Sequence, residues 1–371
     1  MNPDTPTRLY GLDHLRTLAI VFVFIFHYSI LSEGQPEWLF SIARFGWTGV
    51  DLFFVLSGFL ISSQLFSQIK KENSIAFGAF FIKRFLRILP AYWFVIAIYF
   101  CFPIFHEKEA LPPLWKFLTF TQNLNLDISK TGTFSHAWSL CVEEHFYLLL
   151  PVMLGLLLLL KKFRSSYWLL AALFIAGFFV RWYSYDILYA PNLKQDNHWM
   201  YWYKYIYYPT YNRLDGLLTG VFIAAVYKFR PHFWSSISKY GNAFILLSLV
   251  ILTGAYFLCE DQQTFHASVF GFPLIAIGYG SMLTGAISPS FFLYKWQSKT
   301  TTWIATLSYA LYLSHKGVVH ITQQLLESYN LNANLIFITC TLACIAGAIM
   351  LNRLIERPFM KLRSKLIKTH E

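Results

Sequence analysis

The sequence predicts an all-α, polytopic membrane helical bundle of about ten transmembrane helices, with both termini cytoplasmic. Three observations carry that reading. Of 371 residues, 56% are hydrophobic and only 13% charged, with a mean hydropathy of +0.46. A soluble domain is typically about 45–50% apolar and about 25% charged, so an ordinary globular enzyme is excluded. Next, ten stretches of roughly 17–25 mostly apolar residues are each long enough to cross a bilayer as a helix. They run at about 12–31, 46–66, 86–105, 138–160, 166–187, 209–229, 241–258, 265–287, 303–325 and 334–355. The third observation is sidedness. With the N-terminus inside, inner loops, tails and the adjoining span ends hold 20 Lys/Arg and outer loops 6, the remaining four lying deeper within spans. That threefold bias obeys the positive-inside rule. The net charge of +11 would suggest nucleic acid in a soluble protein; here its sidedness makes it a topology signal, and no nucleic-acid partner is expected.

The first span, LDHLRTLAIVFVFIFHYSIL, carries Asp13, His14 and Arg16 and lacks a small-residue cleavage site. It reads as a retained helix and not a removed signal peptide. Arg16 and His27 are eleven residues apart. At about 100° per residue this puts both on one helix face, and roughly 16 Å apart along its axis. Such polar groups in a span are expensive and default to function. The pair suits a site that grips a long, partly anionic substrate and delivers its far end to the imidazole.

The second span enters from outside through GWTGVDLFFVLSGFLIS and sets Asp51 at about the level of His27. The third begins in FFIKRFLRILPAYW, where Lys83, Arg84 and Arg87 fit plain positive-inside topology. Arg84 and Arg87 are also i,i+3 neighbours on one face, suited to holding phosphate at the inner mouth. Pro90 follows, where a kink would open the bundle. The fourth span, from FSHAWSLCVEEHFYLLLP, sets Glu143 and Glu144 in the outer part, and the sixth, from YNRLDGLLTG, does the same for Arg213 and Asp215. His315 and Lys316 lie past the middle of the ninth. Acids, bases and imidazoles of five helices therefore converge on one layer. Each pair has a bland alternative: Arg213 with Asp215, or Asp51 with Lys316, would simply neutralise each other.

The outer connections 106–137 and 188–208 are rich in Trp, Tyr and Phe, as interfacial belts are; sugar stacking is the other use of such rings. Outer loops lean acidic, Glu33 and Glu107 among them, while the inner loops include Lys161, Lys162 and Arg164. Five cysteines, with no CxxC, read as small packing residues, and no disulfide framework or metal site is expected. One domain is expected over 1–371, with 356–371 a basic cytoplasmic tail.

Together these segments resemble the acyltransferase family 3 membrane proteins, which include O-acetylases of bacterial surface polysaccharides. The resemblance spans about residues 8–360. It rests on seven blocks in one order: Arg16-x10-His27, GVDLFFVLSGFLI, Arg84-x-x-Arg87 before Pro90 and Tyr92, HAWSLCVEEHFYLLLP, NRLDGLLTG, LSYALYLSH and IERPF. Some members carry a fused extracytoplasmic SGNH hydrolase-like domain, and none is expected here. The resemblance implies a multi-pass protein of the bacterial inner membrane. It also implies transfer of an acyl group, commonly acetyl, from cytoplasmic acyl-CoA to a hydroxyl of a cell-surface or lipid-linked glycan.

On this reading Arg16, Arg84 and Arg87 hold the acyl-CoA phosphates, and His27 is general base on the acceptor hydroxyl. Asp51 or Glu143 orients the imidazole; alternatively His27 itself carries the acyl group. Trp138 and Ser139 line the tunnel, and Arg213 and Asp215 bind acceptor hydroxyls. His315 is a further substrate-side residue, and His136 and Glu356 match family blocks. The competing class is a transporter or flippase of an anionic or glycan substrate. Against it, no paired halves with broken spans in matching positions are evident.

Overall fold

A computed structural model describes residues 9–31, 35–163 and 166–368. Glu33 and Arg164, used above as loop charges, lie outside the described residues. Among the described residues, sixteen α-helices follow one another, joined by turns and short 3₁₀ or π segments, and there is no strand. They are α1 (Tyr10–Leu31), α2 (Glu37–Ala43), α3 (Gly49–Glu72), α4 (Phe77–Cys101), α5 (Leu114–Leu118), α6 (Trp138–Leu159), α7 (Ser166–Tyr183) and α8 (His198–Trp202). The chain continues with α9 (Asp215–Phe229), α10 (Pro231–Ile237), α11 (Gly241–Leu258), α12 (Phe272–Ala286), α13 (Phe292–Lys295), α14 (Lys299–Leu326), α15 (Ala333–Leu351) and α16 (Arg357–Lys368).

The all-α expectation holds, and helices occupy the ten apolar stretches. Among the described residues, eight helical segments are long and apolar enough to cross a membrane. The other two stretches form α9, only 15 residues long, and α14, 28 residues long but loaded with threonine, glutamine, His315 and Lys316. Local chemistry sets several helix ends. The Ser298 and Asn332 side chains accept N–H bonds from Thr301 and Asn334 at the starts of α14 and α15. Asn73, at φ 51°, closes α3 in the left-handed conformation.

On α7 burial is inverted relative to a soluble fold. Of the residues of α7 the one buried is Arg181, while Trp168 and Phe179 face outward at 81% and 64% exposure. A helix can show apolar side chains outward where its surroundings are hydrocarbon, because its backbone polar groups are satisfied internally. The centre of the bundle is α3, which packs against α1, α6, α9 and α12.

The α3–α9 crossing is set by glycine. Gly216 and Gly220 form a Gly-x-x-x-Gly face, the small-residue device for close helix approach in membranes. A Cβ on Gly220 would lie 2.3 Å from the Val55 carbonyl oxygen, and one on Gly58 only 2.1 Å from that of Leu217. Gly58→Leu or Gly220→Leu is therefore expected to destabilise by roughly 1–3 kcal/mol or more, as overpacking does. Thermal unfolding in detergent checks this, and unchanged melting would contradict so tight a crossing.

Candidate active site

Two cavities lie on either side of a thin wall inside the bundle. The first, about 250 Å³, is lined by Arg16 of α1, Arg84 and Arg87 of α4, Glu143 and Tyr147 of α6, and Tyr312 of α14. Arg84 rests on the Tyr147 ring, its guanidinium carbon 3.6 Å from the ring centre. The Tyr147 hydroxyl donates to Glu143 Oε2 at 2.7 Å, and the Ser57 hydroxyl donates to Glu143 Oε1 at 2.8 Å. Three guanidiniums thus share a chamber with one carboxylate that is already hydrogen-bonded. That excess of positive charge and planar donors suits phosphate groups.

The second cavity, about 370 Å³, is lined by His27 of α1, His136, Trp138 at the start of α6, Lys316 of α14, and Tyr203, Tyr207 and Tyr208 from the connection before α9. Arg16 and His27 therefore open onto different chambers along the same helix. The wall between them is a hydrogen-bonded chain. Tyr312 donates its hydroxyl proton to the His136 carbonyl, so the Ser139 hydroxyl must donate to Tyr312 Oη, at 2.6 Å. Ser139 and Tyr312 face the first cavity, and their neighbours Trp138 and His136 face the second.

His27 sits in a cluster of three imidazoles. Ring centres lie 4.9 Å apart for His27 and His315, 5.7 Å for His27 and His136, and 5.0 Å for His136 and His315. His315 Nδ1 lies 2.9 Å and 3.0 Å from the carbonyls of Tyr312 and Leu311. Carbonyls only accept, so Nδ1 carries the proton and Nε2 of the neutral ring is an acceptor. The 2.9 Å contact between His315 Nε2 and His27 Nδ1 is then donated by His27. By this assignment His27 Nε2 keeps its lone pair, the state a general base needs.

The expected partners of His27 are engaged elsewhere. Asp51 accepts from Arg213 Nη2 at 2.8 Å, and Glu143 belongs to the first cavity. The group in contact with His27 is His315, which α14 brings against α1. The charge pairs also differ from those expected. Arg213 pairs with Asp51 and not Asp215, Asp215 pairs with Arg181 at 2.6 Å, and Lys316 pairs with Glu107 at 3.0 Å and not with Asp51. Arg213 is caged as well, 4.0 Å from the Phe272 ring centre and 4.6 Å from that of Tyr207. Arg213 and Asp215 are thus buried in ion pairs rather than presented to a cavity.

The connection 106–137 contributes more than interfacial rings. The Glu107 side chain is fully buried and also accepts the Phe134 backbone N–H at 2.9 Å. Phe134 has φ 57°, a left-handed conformation that costs a bulky residue energy and persists only when its surroundings enforce it. That turn delivers Ser135 and His136 to the imidazole cluster, with the Phe134 ring 4.7 Å from that of His136. Farther out, the Ser129 hydroxyl and backbone N–H hold the Asp127 carboxyl below the usual carboxylate range. Glu107 gave no signal in the sequence beyond an acidic loop. His136 and His315 stood within recognisable blocks, but nothing there tied them to His27.

Comparison with known proteins now decides the family. The family model Acyl_transf_3, described as an acyltransferase domain, matches residues 9–353. The chain belongs to the acyltransferase 3 family. Among relatives of this family member, peptidoglycan O-acetyltransferase OatA of Listeria monocytogenes is 29% identical over 339 residues, covering 85% of this chain and 50% of that protein. O-acetyltransferase OatA of Staphylococcus aureus is 28% identical over 339 residues, covering 85% and 51%. The chain thus spans about half the length of the curated relatives it matches. No solved structure matches it.

Proposed function

We propose that this acyltransferase 3 family member is a membrane O-acetyltransferase working across the wall between its two cavities. It lies in the bacterial cytoplasmic membrane as about ten spans with both termini inside. Acyl-CoA, most simply acetyl-CoA, approaches from the inner face, with its phosphates against Arg16, Arg84 and Arg87. The pantetheine arm passes Ser139 and Tyr312 and brings the thioester to the imidazole cluster. A glycan hydroxyl enters the outer, aromatic-lined cavity. His27 Nε2 removes the hydroxyl proton, the oxygen attacks the thioester carbonyl carbon, the C–S bond breaks, and the proton passes to the departing thiolate. The observation that carries this reading is His27 itself, which lines the outer cavity and meets His315 Nε2 through its own Nδ1 at 2.9 Å; the tautomer assigned above leaves Nε2 free to take the proton.

The names of the relatives make peptidoglycan the first acceptor to test. Purified protein given acetyl-CoA and peptidoglycan fragments is expected to release free thiol in step with new acetyl ester. Movement of intact substrate without thiol release would favour a transporter and overturn the reading. Arg87→Ala is expected to raise KM for acetyl-CoA about ten- to hundredfold, the worth of a hydrogen bond to a charged group. KM for the acceptor should stay within about twofold. The opposite split would remove Arg87 from the donor site.

A further inference from the structure

A third cavity, of about 690 Å³, belongs to neither of the two chambers. It opens because α6 and α7, consecutive in the chain, stand apart while α7 leans on α9. Leu150, Met153 and Leu154 of α6, Leu170 of α7, and Leu218 and Val221 of α9 give its walls an almost wholly apolar character. Measured along α6 from His145 to Leu157, the lined stretch is roughly 18 Å long, the scale of an extended hydrocarbon tail.

The two ends differ. At one, His145 Nδ1 meets Thr210 Oγ1 at 2.8 Å. At the other, the ends of α3, α6, α7 and α9 converge, and Asn73, Phe163, Tyr167 and Arg230 line the mouth. The Arg230 guanidinium lies over the Tyr167 ring, 5.8 Å from its centre. Lys161 and Lys162 are exposed on the connection next to Phe163, and Lys70 of α3 reaches the Lys228 carbonyl beside the same mouth. Among the described residues, no carboxylate lines the cavity. An apolar slot with a cationic rim matches a molecule whose tail is hydrocarbon and whose head is anionic.

We propose that this chamber is a binding site for an anionic phospholipid, one tail lying between α6 and α7 and the phosphate against Arg230. The site is separate from the acyl-transfer chambers. A bound lipid there braces α7, whose one buried side chain is Arg181, paired with Asp215.

The test uses the full chain reconstituted with phosphatidylglycerol or with phosphatidylcholine of identical tails, the retained lipid being counted by native mass spectrometry. The protein is expected to retain phosphatidylglycerol at least fivefold over phosphatidylcholine, about the worth of one basic residue at an anionic surface. Arg230→Ala, a change at an exposed side chain, should bring that ratio close to one. Ala225→Trp should fill the slot and strip both lipids. If that variant does not fold, Leu149→Trp at the outward-facing wall is expected to have the same effect. Equal retention of the two lipids, a ratio unmoved by Arg230→Ala, or full retention in a folded tryptophan variant would overturn the proposal. Preferential retention of a polyprenyl phosphate added in competition with phosphatidylglycerol would also overturn it, giving the chamber to a polyprenyl carrier lipid.

Discussion

His27→Ala is expected to lower acetyl transfer by at least a hundredfold and up to about ten-thousandfold, the range a positioned general base supplies. Protein level and melting temperature should be nearly unchanged. The ring borders a cavity, so its loss enlarges an existing space instead of opening a new void in a close-packed core. His315→Ala should have a smaller effect of the same kind: lower kcat with little change in either KM, because His315 touches His27 and fixes its tautomer. Steady-state kinetics on the two variants separate these roles. Comparable activity for His27→Ala and the parent protein would remove the imidazole from the chemistry.

Asp51→Ala and Arg213→Ala should act in a different way. Both residues are almost fully buried and hold each other at 2.8 Å, with Arg213 boxed in by Phe272 and Tyr207. Removing one partner leaves a charge buried without compensation, which typically costs about 3–5 kcal/mol. Each single variant is therefore expected to lose stability on that scale in detergent melting. The double variant, which removes both charges, should be less destabilised than the sum of the two. A normally stable Asp51→Ala protein with abolished turnover would return Asp51 to the catalytic group.

The long helices were legible because a bilayer imposes a length and an apolar content on every span, and eight of the ten stretches satisfy both alone. The Arg16–His27 alignment was legible for the same kind of reason: both lie on one helix, so local periodicity fixes their relation. What the sequence does not carry is lateral order. Depth along the membrane suggested one polar layer, but depth says nothing about which helices are neighbours. Asp51 and Arg213 are 162 residues apart, and His27 and His315 are 288 apart, so their meeting depends on α3 crossing α9 and α1 crossing α14. Glu107 was hidden for another reason: an acid in an outer connection reads as solvent-facing, and only the fold turns it inward onto Lys316.

In the proposed reaction, donor and acceptor approach from opposite faces and meet at His27. Sealed vesicles holding the protein in a single orientation test it, with acetyl-CoA only on the face bearing Arg84 and Arg87 and the glycan acceptor only on the other. Acetyl ester is expected to accumulate on the acceptor side while free thiol appears on the donor side, both vanishing in His27→Ala. Ester formation only when the two substrates share one compartment would contradict the claim.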